Sequence, residues 1–244
     1  MRKLLTRGAS SPKLMKGSAG IESVILHLAP GKTCPWASAG CLAACLNTAG
    51  RGAMSSVQLA RQRRTDWFFS DRAGFLRQLD RELTQLEKRA AKKGYTPVAR
   101  LNGTSDIPWE SMRFYLPQEE YYGFAARSLF ERHPGIVFYD YTKSIARVRK
   151  ASAKGWPTNY TLTLSRTEEM SEGAVAREAS MGVNVAVVFD VPKGQPLPRT
   201  FEGVPVIDGR ADDWRFKDPR GVVVGLSALG KARKDTTGFV VEVK

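Results

Sequence analysis

Short apolar runs bounded by turn residues recur along the chain, and segments with helical periodicity separate them. Continuous β-branched runs such as Val183–Val188 are typical of strands that are buried on both faces. The runs predict seven strands, near Ser23–Leu28, Val98–Leu101, Ile136–Tyr141, Tyr160–Leu164, Val183–Phe189, Val204–Ile207 and Val222–Leu226. Because strands alternate with helices, the pattern indicates a parallel sheet covered by helices.

The longest helix is predicted from about Asp71 to Lys93, with Ser70 as its N-cap and Gly94 at its end. Its apolar stripe consists of Phe75, Leu76, Leu79, Leu83, Leu86 and Ala90. Further helices are predicted over Gln118–Arg132, Ile145–Ala153 and Glu168–Ser180, the last with Thr167 as its cap.

About six or seven βα units are too few for a complete eight-stranded barrel. We therefore expect an α/β fold, a partial (β/α) barrel of about six or seven parallel strands with outer helices. A doubly wound sheet is the competing architecture. No linker divides the chain, so residues 21–244 are expected to form a single α/β domain. Residues 1–20, rich in Lys, Ser and Gly, are expected to form a loose basic arm that can still fold over the sheet.

Composition is that of a globular protein, with 42% apolar and 25% charged residues in 244. The three cysteines are an odd number and all lie between Cys34 and Cys45, which excludes a paired disulfide framework and indicates a reducing compartment. The first residues lack an apolar signal region, and no window is apolar enough to span a membrane. We therefore expect a cytoplasmic protein without a membrane partner.

Positive charge is concentrated in the first part of the chain. The net charge is +14, and residues 1–100 hold 18 Lys and Arg against 6 Asp and Glu. This imbalance favours nucleic acid as a partner, although charge also serves solubility. Arg51, Arg61, Arg63 and Arg64 precede Trp67-Phe68-Phe69, a composition typical of a nucleic-acid platform and also of a helix end that faces the core.

Residues 30–51 leave a predicted strand and close into a helix that bears the last two cysteines. Cys41 and Cys45 are four residues apart and would share a helical face, which Cys34 can reach from the loop. Three convergent thiolates predict a [4Fe–4S] cluster with one iron open to a substrate or cofactor. The alternatives are a zinc site completed by His27 or His133, and three small buried hydrophobic side chains.

Polar residues follow the predicted strands, and one crevice is expected to gather them because the carboxyl ends of parallel strands meet at one edge. These residues are Asn102 to Asp106, Asp140 to Lys143, Ser165-Arg166, Asp190 and Asp208 to Arg215. Asp140 and Asp208 are the candidate catalytic residues. The carboxylates and cations from Asp208 to Asp218 are a candidate metal, ribose or partner site, with a solvated salt-bridged loop as the alternative. Gly225 to Lys234 is either an anion-binding loop or a plain turn.

Three segments resemble the bacteriophage gene product 88 family over roughly residues 20–235. They are Leu28 to Pro35 followed by Cys41 and Cys45, Phe138-Tyr-Asp-Tyr-Thr-Lys143, and Asn102-Gly-Thr-Ser-Asp106. The resemblance implies a protein of the phage-infected host cell and implies no particular reaction.

The cysteine loop after the first predicted strand also resembles that of radical S-adenosylmethionine enzymes, whose fold is a partial (β/α) barrel. That resemblance implies S-adenosylmethionine as a cofactor, held by Gly103, Thr104, Ser105 and Asp106 after the second strand and by Lys143. The spacing departs from the usual three and two intervening residues, because six residues separate Cys34 from Cys41 and three separate Cys41 from Cys45.

Two functions follow as hypotheses. The first is a radical S-adenosylmethionine-like enzyme that acts on nucleic acid with Cys34, Cys41 and Cys45 as metal ligands. The second is a non-catalytic nucleic-acid-binding or regulatory phage protein with a structural iron–sulfur or zinc site. Two histidines and the lack of a Ser-His-Asp pattern make ordinary hydrolase chemistry a poor match. The sequence leaves the oligomeric state and the reaction open.

Overall fold

A computed structural model describes residues 3–10, 12–15, 18–117, 119, 123–151, 153, 155–192 and 194–243. Within them a ten-stranded sheet contains all seven predicted strands and three short ones that the sequence pattern did not predict. The strands are β1 Leu5–Arg7, β2 Ile21–Leu26, β3 Thr96–Arg100, β4 Val137–Thr142, β5 Tyr160–Ser165, β6 Val185–Phe189, β7 Thr200–Phe201, β8 Val204–Asp208, β9 Val223–Ser227 and β10 Val240–Val241.

The strand order is β1-β2-β3-β4-β5-β6-β9-β8-β7. All neighbours from β2 to β8 are parallel, and the antiparallel strands β1 and β7 form the two edges. β10 pairs in parallel with the second half of β6, where β5 no longer does. The α/β class and the parallel sheet are therefore confirmed. The sheet is open rather than closed, and the barrel form of the expectation is not confirmed.

Helices follow most of the strands. The described α-helices are α1 Pro12–Met15, α2 Ala39–Ala43, α3 Ser55–Ser70, α4 Arg72–Lys93, α5 Leu129–Arg132, α6 Ile145–Lys150 and α7 Ala174–Ser180. Short 3-10 helices cover Gly8–Ser10, Leu46–Thr48, Gly50–Ala53, Trp109–Ser111, Arg215–Lys217 and Gly230–Lys234. Among the described residues, no helix has the length and apolar character that crossing a bilayer requires.

Helix α4 has the predicted bounds and buries its whole apolar stripe, and its N-cap differs from the prediction. Asp71, not Ser70, accepts a hydrogen bond from Gly74 N at 2.8 Å, because Ser70 is the last residue of α3. Gly94 ends the helix with φ of 66°, a left-handed conformation that glycine adopts without strain.

The other predicted helices are shorter in the structure. The helix expected from Glu168 begins only at Ala174, after Gly173 adopts φ of 71°, and Thr167 does not cap it. The helix expected over Ile145–Ala153 ends at Lys150. Of the helix expected over Gln118–Arg132, the structure shows α5, which Ser128 and Glu131 cap reciprocally. Gln118 and residues 120–122 lie outside the described residues.

The two faces of the sheet differ in character. One face holds the main core, in which α4 packs against β2 and β3. The opposite face carries a small cluster of Leu14, Ile25, Val98, Tyr139 and Trp214. The N-terminal segment is part of this fold, because β1 pairs with β2 and Glu82 accepts the backbone N–H groups of Leu4 and Leu5 at 2.8 Å.

Candidate metal centre

The first thiol, that of Cys34, is fixed against the segment that follows β3. Thr33 Oγ1 donates to Ala29 O at 2.6 Å, which folds the loop back on itself. Asp106 N donates to Thr33 O at 2.8 Å, and Cys34 Sγ lies 3.8 Å from Thr104 O. These bonds hold Cys34 at the carboxyl edge of the sheet.

The second thiol, that of Cys41, is placed by the capped N-terminus of α2. Ser38 Oγ accepts a hydrogen bond from Cys41 N at 3.2 Å. Glu168, which follows β5, accepts from Gly40 N at 2.6 Å and from Ser38 Oγ at 2.7 Å. Carboxylates are favourable at a helix N-terminus, so this contact fixes Cys41 beside the end of β5.

The third thiol, that of Cys45, lies beyond the helix. Helix α2 ends at Ala43, and Cys45 has φ of −55° and ψ of 129°. Its Sγ accepts a hydrogen bond from Asn47 N at 3.4 Å. The prediction that one helix bears both Cys41 and Cys45 is therefore wrong, because the chain turns away two residues too early.

The three thiols nevertheless lie within electrostatic reach of one another. Burial raises the pKa of the Cys34 thiol, and the Cys45 charge raises it further. Burial also raises the pKa of Cys41, with smaller contributions from Cys45 and Cys34. All three side chains are free of disulfides and only partly buried, so the thiols remain reachable from solvent.

Lys143 is the cation beside this group. Its Nζ donates to Ser165 Oγ and Arg166 O, both at 2.8 Å, and lies 4.4 Å from the centre of the Phe239 ring. Burial lowers the pKa of Lys143, and the strongest opposing influence is Cys41. No carboxylate of the described residues is within ion-pair distance of this ammonium group. Buried charges require partners, and the thiol of Cys41 is the acidic group that affects Lys143 most.

Asp106 connects the loops that carry the site. Its Oδ2 accepts from Thr142 Oγ1 at 3.1 Å and from Lys143 N at 2.8 Å, and its Oδ1 pairs with Arg147 Nη1 at 2.6 Å. The guanidinium of Arg147 also lies 5.3 Å from the centre of the Trp36 ring. The Asp106 carboxylate is thus engaged within the protein, and it fixes the segment after β3 to the end of β4.

The remaining residues of that segment are held tightly. A Cβ at Gly103 would lie 2.6 Å from Leu26 O, so only glycine fits where this segment crosses the end of β2. Ser105 is buried and donates to Asn102 Oδ1 at 2.8 Å. The cofactor-binding role of Gly103, Thr104, Ser105, Asp106 and Lys143 stays a prediction. The structure places Thr104 next to Cys34 and Lys143 next to Cys41.

Asp140 is hydrogen-bonded to Asn102, at the start of the segment that follows β3. It is fully buried and accepts from Asn102 N at 2.7 Å and from Tyr160 OH at 3.2 Å. Burial raises the pKa of Asp140 to about 7, although the Arg100 charge opposes that rise. Because its carboxylate is enclosed and engaged, its position is that of a residue that orients Asn102, not one that faces an open crevice.

Asp208 and the loop after it form a second polar region. β8 pairs with β9 in the sheet, and β5, β6 and β9 separate it from β4. Asp208 is 49% exposed and pairs with Arg210 at 2.8 Å. Asp213 pairs with Arg100 at 2.8 Å, and Arg215 pairs with Asp212 and Asp218 at 3.1 Å each. This loop forms a salt-bridged network against β3 and β4, and the expectation of one crevice for all strand ends stays a prediction.

The expected aromatic platform after Arg51 belongs partly to the core. Arg61 is buried, and its Nη1 donates to Asn47 O at 2.9 Å. Phe68 is buried and meets Trp109 edge to face, with ring centres 5.6 Å apart. Arg61 and Phe68 are therefore unavailable to a nucleic acid.

Among the described residues, no group of three or more His, Cys, Asp or Glu side chains, the three cysteines included, has an arrangement that could hold a metal ion. The two histidines of the zinc alternative lie in different surroundings. Burial, Arg61, Arg100 and Arg64 lower the pKa of His27 to about 3, and His133 lies between Asp80 and Glu87 at 3.2 and 3.0 Å. A cubane cluster binds each thiolate to a different iron, so its ligands need not meet at one point.

Sequence reasoning missed Glu168 and Phe239. Glu168 follows β5 directly and so carried the same strand-end signal that selected Ser165 and Arg166. Phe239 carried no such signal, because its place beside Lys143 depends on β10 joining the end of β6.

Comparison with known proteins gives one match. A family model described as gene product 88 matches residues 2–243, nearly the whole chain. No curated protein and no solved structure matches the chain.

Proposed function

The chain belongs to the gene product 88 family, and we propose that it binds a [4Fe–4S] cluster through Cys34, Cys41 and Cys45. The observation that supports this proposal is that three free, partly buried thiols lie within electrostatic reach of one another beside the carboxyl edge of a parallel sheet. Soft thiolates select iron–sulfur clusters, zinc or copper(I), and the geometry of His27 and His133 does not favour zinc. Three ligands leave one iron of a cubane without a protein thiolate.

The surroundings of the thiols suit an anionic group. Lys143 lies beside Cys41 with no carboxylate of the described residues within ion-pair distance, although Asp106 and Glu168 also raise its pKa. The charge of Cys45 raises the pKa of Arg61 against the lowering by burial. Asn47 N donates a hydrogen bond to Cys45 Sγ. Cations and N–H donors near sulfur stabilise thiolates and tune the cluster they hold.

We further propose that the site is catalytic. Open parallel sheets bind their ligands outside the carboxyl ends of the strands, which is where the thiols lie. A bound cluster supplies one-electron chemistry at such a site. The protein contributes the placement: Glu168 and Ser38 orient the helix that bears Cys41, and Asp106 fixes the segment with Thr104 next to Cys34. S-adenosylmethionine is the candidate ligand of the open iron, on the resemblance of the cysteine loop.

Anaerobic purification with iron and acid-labile sulfide analysis tests the cluster. We expect about four of each per chain. Replacing Cys34, Cys41 or Cys45 singly by Ser should abolish loading, because two thiolates retain a cubane poorly. Ser56→Ala, at an exposed position on α3, is the matched control and should load fully. One equivalent of zinc without sulfide, or a single Cys→Ser variant with full iron content, would contradict the proposal.

The electron-spin spectrum of the reduced protein tests the open iron. We expect S-adenosylmethionine to change the spectrum of the loaded protein. A loaded protein whose spectrum does not change, and which does not cleave S-adenosylmethionine, would remove the catalytic part and favour the non-catalytic alternative with a structural cluster.

A further inference from the structure

Two chain segments beside the thiols contain no acidic residue. Residues 29–65 contain no Asp or Glu, and neither do residues 228–234. At the chain-wide frequency of 24 Asp and Glu in 244 residues, roughly four would be expected in these two segments together. Both segments nevertheless carry several cations.

The fold brings these two distant segments together. Ala44, Ala228, Ala232 and Phe239 form one buried cluster, against which Cys41 packs. The backbones also approach closely, since a Cβ at Gly230 would lie 3.1 Å from the Cβ of Ala49. We call residues 29–65 and 228–234 together the thiol surface.

The thiol surface exposes cations and aliphatic side chains. The exposed cations are Lys32, Arg51, Arg63, Lys231, Arg233 and Lys234. The exposed aliphatic side chains are Leu42, Leu46, Met54, Leu59 and Leu229. Carboxylates border this surface. Glu168 accepts hydrogen bonds from Gly40 N and Ser38 Oγ, and Asp190, Asp235 and Glu242 line a cavity together with Arg233. Asp66 and Asp235 border the surface in sequence, and Asp235 accepts a hydrogen bond from Val240 N at 2.9 Å.

We infer that the thiol surface binds a nucleic-acid strand across the cysteine site. The six exposed cations attract phosphates, and each phosphate contact releases a counterion. The aliphatic side chains offer apolar contact to sugars and bases. An acidic protein is the competing partner, and three lysines argue against it because Lys is depleted from protein–protein interfaces. The inference names the substrate class of the proposed site, and the substrate role of the strand rests on that proposed function.

Two matched triple variants test this surface. Arg51→Gln, Lys231→Gln and Lys234→Gln remove three cations from it, and Lys88→Gln, Lys92→Gln and Lys150→Gln remove three exposed cations from elsewhere. The affinity for a fluorescent single-stranded RNA and a DNA of roughly 20 nucleotides is measured over a salt series. We expect the slope of log affinity against log salt to fall by about 2 in the surface variant, at roughly 0.7 per phosphate contact. The control variant should keep the slope of the unmodified protein.

The outcomes separate this inference from the cluster. Equal salt slopes in the two triple variants would contradict the nucleic-acid inference. Polyglutamate of the same charge is added as a competitor, and competition as strong as that of RNA or DNA would also contradict the inference and would indicate an acidic protein partner. Iron content is measured on every sample. If the surface variant has its full iron content and its affinity for nucleic acid is unchanged, the nucleic-acid inference is contradicted and the cluster proposal is not. If the protein takes up no iron and the surface variant alone loses affinity for nucleic acid, the result supports the nucleic-acid inference and contradicts the proposed cluster.

Discussion

Two polar regions follow strands of the same parallel sheet, and they differ in whether their charged side chains form ion pairs. After β8, the charged side chains of residues 208–218 pair with one another and with Arg100. After β2 and β4, three thiols and Lys143 lie together, and the described residues provide that ammonium with no carboxylate within ion-pair distance. The first region is a neutralised structural network. The second region holds three thiols without disulfides and an ammonium group that donates hydrogen bonds to uncharged oxygens.

The comparison shows why composition alone did not identify the site. The sequence of residues 208–218 has more charged side chains than the cysteine loop, and it looked equally functional. Its charges balance locally, so they contribute to stability. The thiol region has fewer charged groups, and one of them, Lys143, has no carboxylate of the described residues within ion-pair distance.

Removal of the Asp213 carboxylate from the neutralised region should have the largest effect on the free energy of unfolding. Asp213 is 1% exposed, and its Oδ2 pairs with Arg100 and accepts from Tyr139 OH. Asp213→Ala leaves Arg100 without its partner, and we expect the free energy of unfolding to fall by about 3–5 kcal/mol in urea titrations. Asp208→Ala, at a side chain that is 49% exposed, is the control and should cost less than about 1 kcal/mol. Similar losses in both variants would mean that the network is not the stabilising feature.

The two histidines should give opposite pH dependences. Burial and the charges of Arg61, Arg100 and Arg64 lower the pKa of His27 to about 3, so the folded protein keeps it neutral while the unfolded chain takes up a proton below about 6.5. The free energy of unfolding of the unmodified protein should therefore decrease as the pH falls below about 6.5, and His27 should account for about 1.4 kcal/mol of the decrease per pH unit. His27→Asn should abolish this part of the decrease. The measurement is urea unfolding of the metal-free protein from pH 8 to pH 5.

His133 provides the contrasting case. Although burial lowers its pKa, hydrogen bonds with Asp80 and Glu87 raise it above its ordinary value. Its contribution is fully present below the unfolded pKa and is lost as pH rises through the folded one. His133→Gln should therefore destabilise the protein more at pH 5.5 than at pH 9. Parallel pH profiles for the two histidine variants would contradict these environments.

Lys143 should have the smallest effect, on the reduction potential of the loaded protein. Reduction adds negative charge, which the ammonium beside Cys41 stabilises. We expect Lys143→Gln to make the midpoint potential more negative by on the order of 50 mV, about 1 kcal/mol for a one-electron couple. Lys143→Arg should keep the potential close to that of the unmodified protein. Lys32→Gln, at an exposed position in the cysteine loop, should leave the potential unchanged. Equal potentials for Lys143→Gln and Lys32→Gln would exclude this charge effect.

The main strands were predictable because burial on both faces requires long apolar β-branched runs. β1, β7 and β10 have only two or three residues each and carry no such pattern. Helix α3 escaped prediction because its buried residues include Arg61 and Thr65, which interrupt an apolar stripe. Edge strands and polar buried residues owe their places to tertiary contacts, which the local sequence does not encode.

The candidate site was predictable in its residue types and less so in its arrangement. Cysteine spacing selected Cys34, Cys41 and Cys45, and strand ends selected Thr104 and Lys143. The contact of Lys143 with Ser165 depends on the pairing of β4 with β5. The pairing of Asp213 with Arg100 depends on the contact of the loop after β8 with β3. Both are long-range properties of the sheet.

Mössbauer spectroscopy of the anaerobically loaded protein tests the central claim most directly, because it resolves iron sites by their ligands. The account predicts a four-iron cluster in which one iron, without a cysteine ligand, is distinguishable from the other three, and loss of that spectrum in Cys41→Ser. A two-iron spectrum, a mononuclear iron site, or a four-iron spectrum retained in full by Cys41→Ser would contradict it.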